Sequence, residues 1–252
     1  MSNIDPTITN AEVIPHIVTE VFKDNPTARF ATGLIAYGEA PREGMDEIVG
    51  GYLKLREKVY IDQTRMLTEE ARLATGGEID EDDGRSVHFC VLENLGDTQR
   101  VVASMRVIHG GDHGRLPIEE FFPQIAQSTN GTSKSIEISR YICRHEDEKV
   151  QNKLKWLLYP AVLAYIMKNK LGPTYAVVEE PLEAALLGAN VPIKRIADPV
   201  WVEEYKDFNL GIVIDTHQLA ANIEAQAPGS VNGIDLNSFV FSGTRPELVV
   251  TD

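Results

Sequence analysis

The chain has 252 residues, 43% hydrophobic and 25% charged, the balance of a soluble globular protein large enough to bury a substantial core. Thirty-eight acidic against 24 basic residues give a net charge of −14, which argues against a nucleic-acid binder, whose affinity rests on neutralising phosphates. Only two cysteines occur, Cys90 and Cys143; both fall in predicted strands and read as buried free thiols, and no spacing resembles a metal-ligand set.

Residues 1–45 read as a weakly organised N-terminal extension. A helical pattern over Glu12 to Phe22 is followed by Pro26, Gly33, Gly38 and Pro41. The opening residues lack the basic segment and apolar core of a secretory leader, so the expectation is a cytoplasmic protein. From Asp46 to Tyr60, the residues Ile48, Tyr52, Leu55 and Val59 recur at helical spacing and predict an amphipathic helix. Residues 65–86 are polar and acidic and read as a loop.

Val87 to Glu93 and Arg100 to Ile108 predict a hairpin turning at Asn94-Leu95-Gly96-Asp97. A short helix over Pro117 to Ala126 has proline at its first turn. A loop over 128–134 then leads to a strand, Ser135 to Cys143. Glu148 to Leu171 is a long helix stopped by Gly172-Pro173; the apolar run inside it, Trp156 to Met167, is too short to span a bilayer. Thr174 to Val178, Ile193 to Val202 and Leu210 to Asp215 predict further strands, and Pro181 to Leu187 and Gln218 to Ile223 further helices. Residues 226–252 read as an irregular tail. The order predicts one α/β domain over residues 46–225, with a mixed central sheet and helices on both faces.

The strand Ser135 to Cys143 carries a carboxylate and a guanidinium inside a β-branched run, an arrangement that is costly unless the charges are paired or catalytic. Simple alternation places Glu137, Ser139 and Tyr141 on one face and Ile136, Ile138 and Arg140 on the other. Arg56, beside the stripe of the first helix, Arg106 in a strand, and Glu78, Asp80 and Asp83 ahead of a strand complete a set of charges where the pattern is apolar. Arginine suits such a set because its planar fork binds carboxylates bidentately. An ion-pair lattice and a catalytic site both fit these residues. No nucleophile elbow, no Ser-His-Asp order and no phosphate-cradling glycine loop occurs.

Arg56-x-x-Val59-Tyr60, Glu78-x-Asp80-x-x-Asp83-Gly84, Arg106, Leu116-Pro117-x-x-x-Phe121-Phe122-Pro123 and Glu137-x-Ser139-Arg140 occur in order. That succession resembles the acyl-homoserine-lactone (autoinducer) synthases of the GNAT N-acetyltransferase superfamily, over roughly residues 46 to 200. Asp83-Gly84-Arg85-Ser86-Val87-His88 with Glu137-Ile138-Ser139-Arg140 also resembles a sister group, the N-acyl amino acid synthases and exosortase-associated acyltransferases. The resemblance implies a single GNAT-like domain in which the strands Arg100–Ile108 and Ser135–Cys143 lie side by side and splay to admit an acyl thioester.

By the same resemblance, the donor would be an acyl-carrier-protein or acyl-CoA thioester and the acceptor a small amine. S-adenosylmethionine is one possible acceptor, no tightly bound cofactor is implied, and the product would serve quorum sensing. Glu137, Arg140 and Glu78 would form the catalytic set, with Glu137 taking the amine proton and backbone N–H groups at the splay holding the oxyanion. Arg56, Tyr60, Asp80, Asp83, Arg106, Val107 and Ser139 would line the substrate site. Arg144, Lys149 and Lys153, with Lys155 nearby, would meet a donor or an acidic carrier protein. Two positions depart from the pattern: Met66 stands where the synthases carry an aromatic, usually Trp, and Tyr141 to Asp147 contain no glycine to wrap a pyrophosphate. The alternative reading is a catalytically silent domain that binds acyl groups or a partner.

Overall fold

The structure is a computed structural model and describes residues 30–36, 47–74, 76–96, 98–125, 134–203, 205–236 and 240–242. The predicted helix Glu12 to Phe22 lies outside the described residues. The hairpin is formed by β2 (Ser86–Asn94) and β3 (Gln99–His109), long antiparallel strands whose β-branched runs are buried on both faces. β1 (Phe30–Ala36) pairs with β2 through seven residues, and β9 (Val240–Ser242) pairs with β1. Both strands lie in stretches that the sequence pattern reads as extension and tail.

β4 (Ile136–Cys143) adds antiparallel to β3. The long helix α3 (Glu148–Lys168) then carries the chain over the sheet, so that β5 (Thr174–Glu179) lies parallel to β4, as a helical crossover permits. β5 pairs antiparallel with β8 (Asp207–Ile214), and the short edge strands β6 (Ile193–Arg195) and β7 (Val200–Val202) close the far side. The resulting order is β6-β8-β5-β4-β3-β2-β1-β9, with β7 on β8. The predicted strand Ile193 to Val202 is thus two strands.

Helices cover both faces. α3 and α5 (Thr216–Gln226) bury Leu157, Leu158, Ala161, Ile166 and Ile223 with Phe89, Val107 and Ile136 in the main core. α4 (Glu180–Gly188) rests on β5 and β8 over Val178, Leu210 and Ile212. On the opposite face lie α1 (Glu47–Glu57), the π-helical turn Lys58–Gln63, a 3-10 turn over Glu81–Arg85 and the short helix α2 (Ile118–Phe121). Among the described residues, no helix is long and apolar enough to cross a membrane.

One expectation is corrected. β3 and β4 lie side by side as the resemblance implies, but they stay paired from Ala103↔Cys143 to His109↔Ile136. The splay lies one strand further on: β4 and β5 share only Ile136↔Thr174 and Glu137↔Tyr175 before they part. A bulge at Arg140 is the local cause, because three β4 steps from Ser139 to Ile142 oppose two β3 steps from Arg106 to Ser104. A bulge bends its strand, while β5 remains held by six pairs to β8.

Candidate active site

Arg56 occupies a core position of α1, on the face that also buries Val49, Tyr52 and Leu53. An arginine there requires partners, and the acidic loop supplies them. Gly77 lets the loop lie flat on the helix: its φ is +115°, and a Cβ there would stand 2.8 Å from Leu53 Cβ. Glu78, next in the chain, donates its N–H to the Leu53 carbonyl and accepts a charge-assisted hydrogen bond from Arg56 Nε. Asp80 caps the 3-10 turn that carries Asp83.

The cluster is densely paired. Asp83 takes both terminal nitrogens of Arg56 at 2.7 and 3.0 Å, and Arg106 Nη1 at 2.7 Å. Arg106 also donates to Asp80 Oδ1 at 2.6 Å and to Ser139 Oγ at 2.9 Å. Arg140 spans Glu78, at 3.0 and 3.2 Å, and Asp80, at 2.7 Å, with its guanidinium 5.2 Å from the centre of the Tyr60 ring. Beneath them, Tyr52 bonds His88 Nδ1 at 2.7 Å, and burial drops the His88 pKa to about 3, so the imidazole is neutral. Burial alone would raise Glu78, Asp80 and Asp83, but the guanidiniums of Arg56, Arg106 and Arg140 outweigh it and hold all three carboxyls low.

Arg140 corrects a second expectation. Alternation sends it to the face opposite Glu137 and Ser139, but its φ of +51° at the bulge swings it onto their face. A non-glycine residue in that region costs on the order of 1–3 kcal/mol, and the bonds to Glu78 and Asp80 hold it there.

Glu137 stands apart from the ion pairs. It is 3% exposed, and its Oε2 accepts the Ile118 N–H at 2.7 Å. Among the described residues, its Oε1 receives no hydrogen bond. Burial raises its pKa to about 7 against the lowering pull of that N–H and of Arg106. A carboxyl with that value exchanges a proton readily at neutral pH.

The gap between β4 and β5 opens into a cavity of about 410 Å³ that passes through the sheet. Its mouth is polar and lies on the face of the charged cluster, where Tyr60, Thr64, Glu137, Ser139, Arg140, Tyr205 and Asn209 line it with Met66 and Leu67. Its depth is apolar and lies under the helices, among Met105, Val162, Leu163, Ala176, Val178, Leu182, Leu186 and Ile212. Tyr141, Arg144 and Tyr159 also line it, and Arg144 is exposed.

Of the residues that the sequence singles out, Tyr60, Glu137, Ser139, Arg140 and Arg144 meet at the cavity. Arg56, Glu78, Asp80, Asp83 and Arg106 form the lattice behind its mouth. Val107 is fully buried in the main core, paired to Val87 and Ile138, and does not line the cavity. Lys149 and Lys153 sit in the first turns of α3 away from it, and Lys155 lies against Trp156. Asn209 and Tyr159 escape the sequence reading; the signal for Asn209 was an asparagine next to a run of apolar strand residues, where it is 3% exposed.

No family model matches the chain, and no curated protein sequence does. Solved structures do. A CoA-dependent acyl-homoserine lactone synthase, BjaI, solved with MTA, superimposes with a TM-score of 0.60 at 18% identity, covering 86% of this chain and 95% of that one. The AHL synthase LasI gives 0.53 at 16% identity, covering 82% and 95%. The fold is that of the acyl-homoserine lactone synthases. The same synthase BjaI has also been solved with SAM and isopentyl-CoA, at a TM-score of 0.59 and 18% identity. At that identity the likeness is one of fold.

Proposed function

We propose that the chain is an N-acyltransferase that moves a fatty acyl group from a thioester, carried by CoA or by an acyl carrier protein, to the amine of a small acceptor. The observation that carries this reading is the through-sheet cavity, apolar on one side and polar on the other, with Glu137 at the passage between them. The acyl chain fits the apolar depth, which places the thioester carbonyl in the gap and leaves the acceptor at the polar mouth. The amine nitrogen then attacks the carbonyl carbon while Oε1 of Glu137 takes its proton, directly or through one water. Collapse of the tetrahedral intermediate breaks the carbon–sulfur bond, and the departing thiolate takes up a proton to leave as a thiol.

Arg140 keeps a second role open. Its Nε and Nη2 are occupied by Glu78 and Asp80, but among the described residues its Nη1 makes no hydrogen bond, and it lines the mouth. An acceptor carboxylate, as in an amino acid or in S-adenosylmethionine, is the group such a donor suits. Met66 at the mouth supplies no aromatic platform, which favours an amino acid over an adenosyl acceptor, and an N-acyl amino acid over a lactone product. The exposed Arg144 is placed for the donor's phosphate or an acidic carrier surface.

Mass spectrometry of lipid-soluble products from cells expressing the wild type and Glu137→Gln tests the reading. An N-acyl amino acid or acyl-homoserine lactone present with the wild type and depleted about 10²–10⁴-fold with the variant is the expected result. Equal product from both removes Glu137 as the base. If no product forms but acyl thioesters raise the melting temperature, the domain is a silent acyl binder.

A further inference from the structure

Resting on the acyltransferase reading, we propose that α4, through Leu182 and Leu186, is the gauge that sets the length of acyl chain the protein accepts. The apolar half of the cavity has two helical walls of unequal character. On one side, Val162 and Leu163 belong to α3, the helix at the centre of the main core, and are 2% and 3% exposed. On the other side, Leu182 and Leu186 project from α4, which packs on the sheet beneath it, over β5, β6 and β8. Both leucines are only partly buried, and their neighbour Leu187 is 52% exposed. The two walls therefore belong to separate apolar clusters, and the cavity is the space between them.

The floor between the walls is β5. Ala176 there, followed by Val177 and Val178, is the smallest residue of the strand and lines the cavity with Leu182 and Leu186. A change of side-chain size on α3 would disturb the main core. The same change on α4 alters the cavity while leaving that core intact. Chain length is therefore read on the wall that is free to vary. Discrimination by one methylene in such an apolar pocket is on the order of 10–200-fold in specificity constant.

The test uses the full chain and a series of straight acyl thioesters from four to sixteen carbons, with binding of unreactive thioether analogues measured in parallel. Leu186→Trp is expected to cut kcat/KM for the longest accepted chains by at least about tenfold while sparing the shortest. Leu186→Ala is expected to move the preference to longer chains, and Leu182→Trp to repeat the shortening. The thioether analogues should show the same displacement in affinity, which separates a gauge from a loss of catalysis. Activity or affinity profiles of the variants that run parallel to the wild type at every length overturn the gauge while leaving the acyltransferase reading intact. A wild type that neither turns over nor binds any chain overturns that reading first, and the gauge with it.

Discussion

Replacing Glu137 by glutamine should make the protein more stable, and only above a definite pH. The carboxyl titrates at about 7 in the folded chain against an ordinary value of 4.5, because burial disfavours its charged form. The folded state therefore holds a proton that the unfolded state releases through that interval. The contribution of Glu137 is fully present below about pH 4.5 and is lost as pH rises toward 7. At about 1.4 kcal/mol for each tenfold change in acidity, ionising the buried group costs about 3 kcal/mol. Glutamine keeps an oxygen for the Ile118 N–H and has no charge to bury. Denaturant unfolding of the two proteins from pH 5 to 8.5 should give a stability difference that is small at pH 5 and grows to about 3 kcal/mol in favour of Glu137→Gln. In a chain of this size that corresponds to about 6–12 °C in melting temperature. A difference that stays constant across the range would refute both the raised pKa and the assignment of Glu137 as a base poised at neutrality.

The ion-pair lattice behaves in the opposite sense. Glu78, Asp80 and Asp83 are held low in the folded state, so their contribution is present above the ordinary carboxylate range and is lost as pH falls below it. Circular dichroism from pH 5 to 2 should show acid unfolding, shallower in Asp80→Asn. Asp83→Asn leaves Arg56 and Arg106 buried without their shared charge and should cost about 3–5 kcal/mol in denaturant at pH 7. Gly211→Ala would bring a methyl within 2.9 Å of the buried Phe122 ring and should cost about 1–3 kcal/mol by the same measurement.

Most of the fold was legible because its elements keep one period each. The hairpin, the long helix with its Gly172-Pro173 stop, and α4 with Pro181 near its start all follow from local patterning. What was missed lacks that support. β1 contains Gly33 and two alanines and is held by seven pairs to a neighbour 50 residues away. β9 is three residues long and gains its place only from β1. The charged site residues were legible because buried arginine and carboxylate stand out in apolar runs. The face of Arg140 was not, since a bulge is set by the strand opposite and cancels the alternation on which the reading depended. The position of the splay escaped for the same reason: pairing of β4 with β5 depends on a crossover of 30 residues, from Arg144 to Pro173.

The charge balance of the mouth has a consequence for catalysis. Three guanidiniums, Arg56, Arg106 and Arg140, meet three carboxylates, Glu78, Asp80 and Asp83, at close range, and of these Arg106 and Arg140 pull the Glu137 pKa down, though less than burial raises it. Burial leads the causes that set the basicity of Glu137. An acyl chain that fills the apolar depth, with its thioester in the gap, removes further water from Oε1 and raises that basicity again. In the proposed reaction the rate should rise with pH as Glu137 deprotonates, with a limb near 7 in kcat/KM for the donor, which reports the free enzyme. In kcat, which reports the donor-bound enzyme, the same limb should lie at higher pH. Initial rates measured over pH 5.5 to 9 at limiting and saturating donor separate the two. A limb at the same pH in both would mean that the donor leaves Glu137 as wet as before, and would place the thioester away from the β4–β5 gap.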